Sequence, residues 1–275
     1  MKAKEFYRDT KHRWVVFARD PDKPEGIIDT NQYMVQCGDR SILLDPGGVE
    51  LFSPMLAALV KEVPLHEVTD LFASHQDPDI ISSLGMWDQS LENAVLHAPW
   101  LWESFIRHFG MNYIRYDPIP DEGGSVRING IELQFVPAHY LHASGNFNVY
   151  DPEAKVLMSG DIGAALEEGE VPLFVSDFER HVKFMRYFHQ RWMPSNRAKD
   201  NWIDRVSRFD IDYMAPQHGR IYRGDDVKRF LDWFAALDVG IGVGDETKTG
   251  IPASPDQEPL EEIDIEKGVP RRRSV

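Results

Sequence analysis

The sequence predicts a mixed α/β fold in which strands stack in layers with helices outside them. Strand-like and helix-like segments alternate along most of the 275 residues, and 42% of the residues are apolar. That apolar fraction is enough to fill the core of one large domain. The sequence contains neither Gly-x-Gly-x-x-Gly nor the glycine-rich phosphate loop, so no nucleotide or flavin domain is expected.

The first half of the chain begins with short segments of β-branched and aromatic residues, separated by turn residues such as Gly38 and Gly47. Apolar residues at helical spacing then indicate the first helix. In this half we predict strands over 14–18, 32–37, 41–45, 69–73 and 94–97, and helices over 51–63, 80–89 and 100–109.

The second half opens with two strand-like segments joined by Asn129-Gly130, a strong hairpin signal. Residues 246–275 contain prolines, an acidic block and three consecutive arginines, so we expect a flexible tail after a domain over 1–245. The predicted strands are 125–128, 131–136, 147–150, 156–158 and 211–214, and the predicted helices are 178–191, 198–209 and 225–237.

The charge and composition of the chain argue against several classes of partner and site. A formal net charge of −15 argues against nucleic acid, whose binding depends on cationic contacts. We find no apolar run long enough for a membrane span and no signal peptide, so no membrane association and a cytoplasmic location are expected. The single cysteine, Cys37, excludes an internal disulfide framework and cysteine-rich metal sites.

Three potential metal ligands lie within five residues, directly after the predicted strand 69–73: His75, Asp77 and Asp79. At alternate positions of an extended segment their side chains point the same way. The alternative is that the two aspartates cap the following helix while the histidine makes a hydrogen bond in the core.

Three further strand ends carry residues of the same kind. His139 and His142 follow one strand, Asp161 follows another, and His218 follows a third. Ligands of open α/β sheets collect beyond the carboxyl ends of strands, so four such ends together favour a metal site.

This ordered set resembles the metallo-β-lactamase superfamily, whose dinuclear sites use His-x-His-x-Asp-His. It is more similar to the diiron branch, with His-x-Glu-x-Asp, found in flavodiiron proteins and stand-alone oxygen-binding diiron proteins. The resemblance covers residues 33–237 and implies a four-layer αββα sandwich with the metals in a groove at one edge.

The resemblance also implies roles for individual residues. His139 is the alternative to His142, and Asp45 is either a residue supporting the ligands or a simple turn residue. The implied ligands are His75, Asp77 and His142 for the first metal, Asp79 and His218 for the second, and Asp161 as the bridge.

Three carboxylates and three imidazoles suit iron or manganese better than zinc. The sequence departs from the family pattern at two positions: Asp77 replaces the expected glutamate, and Ile80 stands where most members carry a fourth histidine. The second metal would then have three protein ligands, which implies either an open position for oxygen or a weakly held ion.

We therefore expect a protein with two iron ions that binds dioxygen, as a sensor, a carrier or a reductase. Too few residues remain for a fused flavin domain, so electrons would come from a separate redox partner, and a sensor would act on a signalling partner. We expect a homodimer or a higher homo-oligomer. The alternatives are a dinuclear hydrolase of phosphodiesters or thioesters, disfavoured by Asp77 and Ile80, and an interaction protein with a structural metal.

Overall fold

Two β-sheets form the centre of the protein in the computed structural model, which describes residues 1–18, 20, 22–23, 26–167, 169 and 171–241. The first sheet has the strand order β1-β2-β3-β4-β5-β6-β7. Its first four strands are antiparallel, and β4 to β7 run parallel. The strands are β1 (Lys2–Arg8), β2 (Arg13–Ala18), β3 (Asn31–Cys37), β4 (Arg40–Leu44), β5 (Val68–Phe72), β6 (Val95–Pro99) and β7 (Arg115–Ile119).

The second sheet has the order β13-β12-β11-β10-β9-β8. β11 and β12 are parallel, so their carboxyl ends lie at the same edge of this sheet, and the other neighbours pair antiparallel. The strands are β8 (Gly124–Ile128), β9 (Ile131–Pro137), β10 (Phe147–Asp151), β11 (Val156–Gly160), β12 (Tyr213–Pro216) and β13 (Tyr222–Arg223).

Helices cover the outer face of each sheet. The long helix α5 begins at an Asp177 cap, whose carboxylate accepts a hydrogen bond from the backbone N–H of Arg180. Ser195 caps α6 in the same way. The helices are α1 (Phe52–Leu59), α2 (Pro78–Ile81), α3 (Leu84–Ser90), α4 (Glu103–Ile106), α5 (Phe178–Trp192), α6 (Asn196–Val206) and α7 (Asp225–Ala236).

Three separate apolar clusters define the layers. Strand β4 illustrates the pattern, because Leu43 packs toward the first group of helices while Ile42 and Leu44 pack between the two sheets. A third cluster lies between the second sheet and α5 to α7 and includes Met185 and Phe230. Alternating side chains are thus buried on both faces of a central strand. The predicted four-layer αββα sandwich is confirmed.

A buried polar contact links the sheets near the start of β2. His12 Nε2 lies 2.8 Å from Asp151 Oδ2, and the Trp14 indole N–H donates to the same oxygen at 2.8 Å. Burial by itself would lower the pKa of His12, but the hydrogen bond to Asp151 raises it above the ordinary value. The pair therefore favours a protonated imidazole in the folded protein.

Most of the predicted elements are present, with local differences. The helix predicted over 80–89 is divided into α2 and α3, and the one predicted over 100–109 is α4 between two 3₁₀ turns. Strands β1, β7 and β13 were not predicted. The expected tail, 246–275, lies outside the described residues, and Met1–Gly240 form one unit. None of the described helices has the length and apolar character needed to cross a bilayer.

Candidate metal centre

The predicted ligand residues follow strand ends at one edge of the sandwich. His75 follows β5 of the first sheet, and Asp77 and Asp79 lie at the start of α2. Asp161 directly follows β11, and His218 lies two residues after β12. The parallel pairings of β4 with β5 and of β11 with β12 bring these loops to the same end of their sheets.

Four of these residues form a tight cluster. One ligand atom from each of His75, Asp77, His142 and Asp161 lies within 4.8 Å of the other three. His142 Nε2 is 2.7 Å from Asp161 Oδ2 and 3.3 Å from Asp77 Oδ2. His75 Nε2 is 3.3 Å from the same Asp161 oxygen. Two imidazoles and two carboxylates therefore converge on one point.

A second group lies on the other side of Asp161. His218 Nε2 is 3.2 Å from Asp161 Oδ1 and 3.4 Å from Asp79 Oδ2. The two oxygens of Asp161 thus face different histidines, with Oδ2 toward the first cluster and Oδ1 toward His218. A carboxylate in this position can bridge two cations.

The histidine rings are oriented by hydrogen bonds to their far nitrogens. His218 Nδ1 donates to the backbone carbonyl of Asp29 at 2.8 Å, since a carbonyl can only accept. His75 Nδ1 lies 2.9 Å from the Ser74 hydroxyl, which donates in turn to Asp45 Oδ2 at 2.8 Å. Both rings therefore direct Nε2 into the centre, the orientation that metal-binding histidines need.

Asp45, predicted as a supporting or turn residue, is linked to His75 through the Ser74 hydroxyl. Its Oδ1 also accepts the backbone N–H of Ser74 at 2.7 Å, and the side chain is fully buried. Burial raises the pKa of Asp45 to about 7, although the nearby His75 opposes this shift. Sequence reasoning missed Ser74, whose signal was its position between a buried strand and a candidate ligand.

The carboxylates of the centre attract positive charge. Burial alone would raise the pKa of Asp161, but the imidazoles of His142, His218 and His75 hold it well below its ordinary value. Burial would likewise lower the histidine pKa values, yet Asp161 raises that of His75 to about 10 and that of His218 to about 9. Carboxylates thus hold protons on the histidines at the positions where metal ions would replace them.

His139, the alternative to His142, lies away from this cluster. Its Nε2 is 2.9 Å from the backbone carbonyl of Asp121, and its ring packs edge-on against Phe147. His142 instead contacts two aromatic residues of α5, with ring centroids 5.4 Å from Trp192 and 6.2 Å from Phe188. The sequence analysis did not single out these two aromatics, although their spacing of four places them on one helix face.

His189 on α5 supports the loop that carries Asp161. Its Nδ1 donates to the Met185 carbonyl at 2.8 Å, so Nε2 accepts the backbone N–H of Gly163 at 2.9 Å. Burial lowers the pKa of His189 to about 4, which keeps the ring neutral. The Tyr222 hydroxyl donates to the Gly163 carbonyl at 2.8 Å. Both the backbone N–H and the backbone carbonyl of Gly163 are therefore hydrogen-bonded to side chains.

The structure also shows the surroundings of Ile80 and Arg220, two residues near the predicted ligands in the sequence. Ile80 is fully buried and belongs to the apolar cluster between the first sheet and its helices. Arg220, the cation nearest to His218 in the sequence, makes a two-point ion pair with Glu167 at 2.9 and 2.6 Å. Its charge is therefore already compensated within the protein.

Comparison with known proteins finds relatives that have the same fold and include diiron proteins. Two structures of the chemotaxis sensor ODP, a peroxy diiron species and the apo state from T. denticola, are 35% and 34% identical to this chain. Both have a TM-score of 0.78 and cover 87% of this chain and 97% and 96% of their own. The flavodiiron protein from Giardia intestinalis shares the fold at 17% identity, with a TM-score of 0.74, covering 84% of this chain and 58% of its own.

An uncharacterised protein of Methanocaldococcus jannaschii is 24% identical over an alignment of 215 residues, which covers 74% of this chain and 52% of that protein. The chain thus spans about half the length of this curated relative. The resemblance to the diiron branch of the superfamily is confirmed. A family model described as ODP family beta lactamase matches residues 28–219, well over half of the sequence, and the chain belongs to that family.

Proposed function

We propose that this protein binds two iron ions and senses dioxygen through them. The observation that carries the proposal is that Asp161 Oδ2 faces His75 and His142, whereas Asp161 Oδ1 faces His218. The first ion would be held by His75, Asp77 and His142, the second by Asp79 and His218, and Asp161 would bridge them.

The residues present suit such a pair of ions. His75 Nε2 and Asp161 Oδ1 are buried and make no well-oriented hydrogen bond among the described residues. Unpaired buried polar atoms are costly in a protein interior, and coordination to a cation would satisfy both. A mixed imidazole and carboxylate donor set suits iron or manganese, and the diiron ODP structure supports iron.

Dioxygen as the ligand is supported by two observations. The similar ODP structure is of a peroxy diiron species of a chemotaxis sensor. The Arg220 guanidinium is paired with Glu167 and so offers no free charge to a phosphoester, which needs compensating cations. Ferrous ions would supply the electrons for dioxygen binding. The chain would supply the side-chain ligands, and the second ion would have three of them: Asp79, His218 and the bridging Asp161.

A sensing role is also part of the proposal. Reduction of oxygen in repeated cycles needs a separate electron donor, whereas sensing needs only reversible binding and a signalling partner. The proposal includes a homo-oligomer in the cytoplasm, and the size of the protein in solution would test the assembly.

The test is anaerobic loading with ferrous iron, followed by mixing with oxygenated buffer and recording the visible spectrum. We expect two iron ions per chain and a new absorption band that is lost in His75→Ala and kept in the matched control His139→Ala. Ile80→His should change the lifetime of the oxygenated state. The proposal fails if iron-loaded protein shows no oxygen-dependent band, or if the protein binds only zinc and cleaves phosphoesters.

A further inference from the structure

Polar atoms surround Gly160, the residue directly before Asp161. The backbone of Gly160 has a φ of +57°, and a Cβ built on it would have three polar atoms as its nearest neighbours. They are Asn146 Oδ1 at 3.7 Å, Ser74 Oγ at 3.7 Å and Asn148 Nδ2 at 3.8 Å. These distances are ordinary contacts, so the space over Gly160 can hold a small group.

Hydrogen bonds fix which atom of each amide faces this space. The Trp202 indole N–H donates to Asn148 Oδ1 at 2.7 Å, which leaves the Nδ2 donor directed at Gly160. Asn146 Nδ2 donates to the Leu141 carbonyl, which leaves its Oδ1 acceptor there. The two assignments follow from the partners, because an indole N–H only donates and a carbonyl only accepts.

The two remaining amide atoms are unsatisfied by protein. Asn146 and Asn148 are completely buried, and neither Asn146 Oδ1 nor Asn148 Nδ2 has a hydrogen-bond partner among the described residues. Ser74 Oγ donates to Asp45 and accepts from His75, which leaves it one further lone pair. One acceptor, one donor and one hydroxyl oxygen therefore converge on the same small space.

This set of atoms matches one water molecule. A water can accept from Asn148 Nδ2 and donate its two hydrogens to Asn146 Oδ1 and Ser74 Oγ, so each of the three atoms gains a partner. Buried waters in proteins make about three hydrogen bonds to groups that would otherwise be unpaired. An ion would fit less well, because the three atoms combine a donor with acceptors and carry no net charge.

We propose that a single water molecule is bound over Gly160 as a permanent part of the centre. It would join the loops that carry His75 and His142, two proposed ligands of the first ion, and Asp161, the proposed bridge. Ser74 precedes His75, Asn146 holds the Leu141 carbonyl beside His142, and Gly160 precedes Asp161. The water site stands on the protein geometry alone, whereas its role in positioning metal ligands rests on the proposed function.

The proposal gives Gly160 a second reason to be glycine besides its positive φ. A side chain there would occupy the space of the water and leave the two asparagine atoms unpaired. Loss of a group that supports metal ligands usually weakens metal binding by about 10- to 100-fold. We expect a loss of about tenfold in the iron affinity of Gly160→Ala.

High-resolution crystal structures of the unmodified protein and of Gly160→Ala test the site. Solvent density within hydrogen-bond distance of Ser74 Oγ, Asn146 Oδ1 and Asn148 Nδ2 is expected in the first and not in the second. Gly130→Ala is the matched control, since Gly130 has a φ of +90° and open space around its Cβ position. It should keep the water and the full iron affinity.

The outcomes separate the claims. Absence of solvent density in the unmodified protein overturns the water site, even if Gly160→Ala does not fold. Density combined with unchanged iron affinity in Gly160→Ala overturns the positioning role. Density in a protein that takes up no iron supports the water site and refutes the proposed function instead.

Discussion

Replacing Asp161 by alanine is expected to remove both metal ions at once. The two oxygens of this carboxylate face separate histidines, with Oδ2 2.7 Å from His142 Nε2 and Oδ1 3.2 Å from His218 Nε2. If both contacts mark coordination positions, each ion loses a direct ligand, and the two ions also lose the negative charge that reduces their mutual repulsion.

The size of the effect follows from known metal sites. Removing a group that merely supports a ligand costs about 10- to 100-fold in metal affinity. For a direct ligand of both ions we expect each dissociation constant to rise at least about 100-fold, or about 2.7 kcal/mol per ion. With iron at 100 times the original dissociation constant, the stabilisation of the folded chain by each ion should fall from about 2.7 to about 0.4 kcal/mol.

The assay is iron content per chain after anaerobic loading and desalting, together with the melting temperature with and without iron. Asp79→Ala is the matched control, since this carboxylate lies beside His218, and one ion should then remain. The bridging assignment is refuted if Asp161→Ala retains two ions per chain and the same iron-dependent rise in melting temperature.

Three further predictions concern separate contacts, those of His142, His189 and His12. His142→Ala should lower the iron content while His139→Ala should not, and the opposite result would exchange their roles. His189→Leu should raise the iron dissociation constant about tenfold, and His189→Gln, whose amide oxygen can accept the same hydrogen bond, should restore it; equal losses would exclude a positioning role. Since the folded pKa of His12 is raised above 6.5, its contact with Asp151 stabilises the protein fully below that pH and less as pH rises through the folded value. The difference in unfolding free energy between the unmodified protein and His12→Gln, from urea titrations, should therefore shrink between pH 6 and pH 9, and a difference that grows would contradict this.

The sequence indicates the segments that carry the proposed ligands, because each lies at the end of a strongly apolar strand. His75 and His218 could be proposed from that position alone, and the structure brings them to opposite sides of Asp161. The choice between His139 and His142 could not be made locally, because both follow the same strand within a few residues. It depends on Asp121, whose carbonyl holds His139 away from the cluster.

The unpredicted strands share weak local signals. In β1 the residues Lys2, Lys4 and Glu5 are charged, and the strand is recognisable only through its antiparallel pairing with β2. In β7 a proline, Pro118, interrupts the run, as an edge strand of a sheet can tolerate. The role of Ser74 is likewise invisible locally, because it depends on Asp45 in another loop.

The spacing of the proposed ligands along the chain has a consequence for biosynthesis. His75 and His218 are separated by about half of the sequence, and Asp161 lies between them. During translation the segment with His75 leaves the ribosome long before the loops of the second sheet, and contacts so distant in sequence form late in folding. A nascent chain can therefore offer an ion only the His75, Asp77 and Asp79 segment. In the proposed centre, the second ion could bind only after the strand before His218 has joined its sheet, so a complete pair of ions would mark a finished fold.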